Sequence, residues 1–144
     1  MRIIKFRGKR VDNGEWVYGD FLKQINQLSK CPAIVHNREG YILPNTTKVK
    51  EETVEQYTGL SDKNGKEIYE GDIAQCTHWF FDGNKIEENF VASVGFQNGS
   101  YTLENIKSRF YSDYTGKKNG KRICWIDVYE VIGNIYDNPE LLED

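Results

Sequence analysis

The chain of 144 residues, 38% hydrophobic and 13% aromatic, is long enough for one ordinary domain or two small ones sharing a core. It has no run of about 18 apolar residues, and charges interrupt the apolar character of "MRIIKFRGKR", so the sequence predicts a cytoplasmic protein with no membrane partner. The net charge is only −3, and three widely spaced cysteines, Cys31, Cys76 and Cys124, argue against a disulfide framework and for a reducing compartment.

Turn chemistry orders the rest. A strand over residues 3–7 meets Asn13-Gly14, and strands over 15–18 and 20–24 follow, divided by Gly19-Asp20. Strands over 33–37 and 41–43 flank Glu39-Gly40. The stretch 48–59, "KVKEETVEQYTG", joins two halves near residue 60; its Thr53, Val54 and Tyr57 favour a strand, with a helical turn as the alternative. In the second half, Asn64-Gly65 and Gly71-Asp72 precede strands over 72–79, 90–96, 100–104, 123–125 and 128–136. Asp82-Gly83, Asn98-Gly99 and Asn119-Gly120 supply further turns, the Asn-Gly pairs suiting the positive φ of type I′ hairpins. The tail offers Asn138 as an N-cap, Pro139 at the first helical position, and Leu141 and Leu142 to dock a short helical turn. The fold class is all-β with minor helix, and Trp16, Ile73, Val94, Trp125, Val131 and Ile135 are expected to line the interior.

The stretch "TGLSDKNGKEIYEGDIAQC" (58–76) is crowded with ionisable groups and resembles an acidic active-site loop. Its plain reading is a turn, with Asp72 bonding nearby amides where Gly71 bends the backbone. An internal echo supports this: "DNGEWVYGDFL" (12–22) and "KNGKEIYEGDIA" (63–74) both run from Asn-Gly through an aromatic-bearing strand to Gly-Asp. Gly14, Gly19, Asp20, Gly65, Gly71 and Asp72 are therefore read as structural turn residues.

Chemical candidates are few. Cys31, His36, Cys76 and His78 are zinc-ligand types, but no CxxC exists and Cys31 and His36 differ in strand parity. No nucleophile elbow accompanies the two histidines. The carboxylates Glu67, Glu70 and Asp72, and Asp82, Glu87 and Glu88, lie among lysines, asparagines and glycines that predict a wet surface. No GxxxxGK[ST] or GxGxxG is present. The sequence predicts no catalytic residue, metal or cofactor.

Charge is uneven. Residues 1–10 carry five basic and no acidic groups; residues 105–122 carry six basic and one acidic. The second segment sets Lys107, Arg109, Lys117, Lys118, Lys121 and Arg122 among Phe110, Tyr111 and Tyr114, a combination that attracts phosphates and stacks bases. The plainer reading is a solvated hairpin, or one meeting acidic surface such as residues 128–144, which hold five acidic and no basic groups.

Three blocks, "IKFRGKRVDNGEWVYGDFL", "TVEQYTGLSDKNGKEIYEGDIA" and "YEVIGNIYDNPELL", resemble the YopX family of small phage and prophage proteins, in the same order and across nearly the whole chain. Residues 77–128 match poorly, Glu55 stands where that family often has Gly, and Ala74 stands where a larger aliphatic is common. The resemblance implies an N-terminal β-hairpin subdomain over 1–60 and a small SH3-like barrel over 61–144 with a C-terminal helical turn. It also implies a phage or prophage origin, and it transfers no activity. The expectation is a non-enzymatic accessory or assembly protein making protein contacts or self-associating. The alternative is a nucleic-acid-binding module using residues 105–122.

Overall fold

The computed structural model describes residues 1–28, 30–36, 45–81, 85–107, 121–122 and 128–143. It is mostly strand, and the chain divides into two compact units, Met1–Gly59 and Leu60–Asp144.

The first unit contains β1 (Phe6–Lys9), β2 (Trp16–Leu22), β3 (Ala33–His36), β4 (Asn45–Lys48), a 3₁₀ turn (Glu51–Thr53) and β5 (Glu55–Ser61), paired in the order β4-β3-β2-β1-β5. The stretches 15–18 and 20–24 are one strand, because β2 changes partner without ending: Phe6 of β1 faces Gly19, and Asp20 faces Val35 of β3. Gly19 is required at the handover. Its φ is +157°, and a Cβ there would strike the backbone carbonyl of Val35.

This sheet rolls back on itself. Past Lys9, Arg10 bridges Val49, Val11 N–H donates to Lys48 O at 3.1 Å, and Lys50 N–H donates to Lys9 O at 2.8 Å. The flank of β1 opposite β2 is thus taken first by the chain leaving β4 and then by β5. The 3₁₀ turn carries the chain between them, pinned by Thr53 Oγ1, which accepts Lys9 N–H at 2.9 Å and donates to Lys50 O at 2.7 Å. Ala33, Ile34 and Val49 are buried, and Gly8 lies so close to Val49 that a methyl would sit 3.1 Å from its Cβ.

In the second unit β6 (Glu67–Tyr69) follows β5 at the end of the first sheet, and β7 (Asp72–Phe81), β8 (Lys85–Gln97), β9 (Ser100–Lys107), β10 (Lys121–Arg122) and β11 (Val128–Asn134) form an antiparallel sheet in the order β10-β9-β8-β7-β11. Period-two alternation puts Ala74 and Cys76 of β7, and Phe90, Ala92 and Val94 of β8, into one core with Ile68, Leu103, Ile106 and Tyr129. Val131 packs against it. One extra residue in β9 makes a bulge opposite Ala92, where Asn105 has φ +50° and its Nδ2 donates to Ser93 Oγ at 3.0 Å.

The all-β class holds: the described residues form two antiparallel sheets and no closed barrel, so the SH3-like detail expected over 61–144 is not confirmed, and the sheet that curls back belongs to the first unit. One expectation needs correction. Ile135 does not line the interior but is 37% exposed. The strand stops at Asn134, whose Oδ1 accepts Tyr136 N–H and Asp137 N–H at 3.0 Å each, and that turn points Ile135 outward. Ile73 and Val94 are buried and Trp16 is half-buried. Trp125, Gly120 and the strands over 41–43 and 123–125 lie outside the described residues.

Candidate functional site

The Asn-Gly turns differ in construction. Among the described Asn-Gly pairs only Asn98-Gly99, joining β8 to β9, has both residues at positive φ (+50° and +79°), as a type I′ turn requires. At Gly14 (+73°) and Gly65 (+81°) the glycine alone is left-handed. Gly65 closes a turn in which its N–H donates to Asp62 O at 3.0 Å.

Asp62 explains the acidic look of the stretch 58–76. It is 8% exposed; its Oδ1 accepts Asn64 N–H at 2.8 Å and Lys66 N–H at 2.9 Å, and its Oδ2 accepts Val131 N–H at 3.0 Å. Burial pushes this carboxyl up, but the three amides and Lys66 more than offset it and hold the group below its ordinary value. Lys63 N–H donates to Tyr129 O at 2.9 Å, and its ammonium meets Glu130 at 3.0 Å. The turn therefore covers the outer edge of β11 at Tyr129 and Val131, where a foreign strand would otherwise pair. The role of Asp62 escaped the sequence reading, which assigned amide bonding to Asp72; the signal is an Asp two residues before an Asn-Gly.

Asp72 is 1% exposed, and its Oδ2 accepts Tyr69 N–H at 2.8 Å across the bend at Gly71, whose φ is +76°. Gly19-Asp20 differs: it lies inside β2, and Asp20 is exposed. Among the described residues no group of three or more His, Cys, Asp or Glu is placed to hold a metal ion. His36 Nε2 lies 3.0 Å from Thr47 Oγ1, and the buried Cys76 thiol donates to Ala74 O at 3.7 Å.

The basic aromatic segment is mostly outside the described residues, which exclude Arg109, Tyr111, Tyr114, Lys117 and Lys118. Lys107 ends β9, half-buried and opposite Val91; Lys121 and Arg122 form β10, opposite Leu103 and Thr102.

The other basic segment lies in the rolled sheet. Lys5, Arg7 and Lys9 alternate onto one face, with Lys5 Nζ 5.6 Å from the Tyr57 ring centroid, Arg7 Cζ 4.6 Å and Lys9 Nζ 5.4 Å from that of Trp16. Arg7 is also held by Glu55, Nε to Oε2 at 2.8 Å. Where β2 changes partner, Ile3, Ile4, Tyr18, Asp20, Val35 and His36 line a shallow groove of about 270 Å³. Ile3, Ile4 and Tyr18 are 66%, 55% and 47% exposed.

These features define an antiparallel β protein of two units, one rolled and one open, with its central carboxylates committed to backbone. The chain belongs to the family described as YopX protein, whose model matches residues 5–143. It is also similar in fold to a solved structure, protein EF1440 from Enterococcus faecalis, with a TM-score of 0.52 and 24% identity over 99% of this chain and 100% of that one. No curated protein matches it.

Proposed function

We propose that this protein is a non-enzymatic accessory protein of a phage or prophage, acting in the bacterial cytoplasm as a binding or assembly module through protein contacts. The observation that supports this reading best is the exposed trio Ile3, Ile4 and Tyr18 beside an open, charged groove. Apolar side chains grouped in this way gain free energy when a partner removes them from water. The use of Asp62 and Asp72 as amide acceptors also favours it, because these carboxylates are spent on turns.

The second reading is a nucleic-acid-binding module, favoured by the six basic and one acidic residues of 105–122. Titration with short single-stranded and duplex oligonucleotides at two salt concentrations separates the two. Phosphate contacts release counterions, so a nucleic-acid module weakens steeply with salt, with a slope of about −0.7 per neutralised phosphate on single strands. The expected result is weak, sequence-indifferent binding at most. Tight binding at physiological salt that Lys117→Ala/Lys118→Ala/Lys121→Ala abolishes overturns the protein-contact reading.

A further inference from the structure

The two units carry opposite charge. Residues 1–59 hold ten basic and seven acidic groups, net +3, and residues 60–144 hold nine basic and fifteen acidic, net −6. Each unit also exposes an apolar cluster next to residues of its own sign. On the first, Ile3 and Ile4 stand beside Arg2 and Lys5. The second exposes Ile132, Ile135 and Tyr136, each 37%, in a stretch, 128–143, with four acidic and no basic residues.

We propose that the protein self-associates, the basic apolar surface at Ile3 and Ile4 of one copy receiving the acidic apolar surface at Ile135 and Tyr136 of another. This inference rests on the binding-module reading and names its partner as a second copy of this chain. Burial of the two apolar clusters supplies attraction, and the opposed charges choose the pairing. Either surface against itself brings like charges together, which disfavours a symmetric dimer through one patch.

Both surfaces are held in shape. Lys5 O accepts Tyr57 N–H at 2.8 Å, tying the N-terminal segment to β5. In the second unit Asn134 holds Tyr136 and Asp137, and the 3₁₀ turn Pro139–Leu142 follows directly. Preformed surfaces lose less entropy on docking.

Sedimentation velocity over a range of protein concentrations, at low and high salt, tests the proposal. Wild type is expected to show species larger than a monomer that recede as salt rises. Arg2→Glu/Lys5→Glu and Glu140→Lys/Glu143→Lys should each weaken association by about tenfold. An equimolar mixture of the two variants should regain it, because each then offers the charge the other lacks. Arg2, Glu140 and Glu143 are exposed, and thermal melts check that folding is intact. A wild type that stays monomeric at low salt overturns the proposal, as does association that neither variant changes. Either result leaves the oligonucleotide titration to decide the binding-module reading separately.

Discussion

Arg7 of β1 and Glu55 of β5 are register partners in the first sheet, and their side chains meet there while only about one-twentieth exposed, with Nη2 and Oε2 2.6 Å apart. The guanidinium also lies over Trp16, so one buried cation joins three strands.

A buried pair costs most when half of it is removed, because the survivor keeps its desolvation penalty without its partner. Glu55→Ala is expected to destabilise the protein by about 3–5 kcal/mol. Arg7→Met/Glu55→Leu should recover much of that loss, since neither charge is then stranded. Urea unfolding of the two variants checks this; equal losses would show that packing around Trp16, and not the pair, holds the strands.

Gly19 and Gly14 separate steric need from conformational preference. Both have positive φ, but only Gly19 has backbone within contact of a new Cβ, while nothing lies within 4 Å at Gly14. Gly14→Ala is expected to cost about 1 kcal/mol. Gly19→Ala should cost about 3 kcal/mol or more, because β2 must move from β3 to admit the methyl. Thermal melts rank the two.

The strand positions were legible where turn residues and alternation agree, as at β3, β7 and β9. β4 (Asn45–Lys48) was missed because Asn-Thr-Thr-Lys has no apolar alternation; its place is fixed by pairing with β3, which no local signal encodes. Gly19-Asp20 and Gly71-Asp72 look alike in sequence, yet one lies within a strand and the other in a turn, since only the neighbouring strands decide whether the chain continues or reverses. The exposed N-terminal surface was invisible for a related reason: Ile3 and Ile4 read as the start of a strand over 3–7, and pairing begins only at Phe6.

Asp62 should make stability depend on acid. Its folded pKa is depressed below the ordinary 3.8, so its contribution is fully present above that value and fades as pH falls through the folded pKa. Asp62→Ala is expected to cost about 3 kcal/mol at neutral pH, the loss of charge-assisted bonds to three amides. The gap between wild type and variant should narrow below about pH 4. Denaturant titrations across that window check the sign; a gap that widens in acid would reject this account of the turn. Because the turn covers β11, hydrogen exchange at Val131 N–H should accelerate in the variant.

Asp72 carries the last prediction, since it was the residue in 58–76 most open to a catalytic reading. Its carboxylate accepts Tyr69 N–H where Gly71 reverses the chain, and Gly71 N–H donates to Val94 O at 2.8 Å, so the bend is fastened to β8 as well. A neutral amide oxygen can still accept the Tyr69 proton, so Asp72→Asn should cost about 1 kcal/mol, within the difference between charged and neutral acceptors. Asp72→Ala removes the buried acceptor that Tyr69 N–H uses, and it should cost about 2–3 kcal/mol. Chemical denaturation gives both numbers. If Asp72→Asn left stability unchanged while abolishing a measured activity, the residue would be catalytic and the turn incidental.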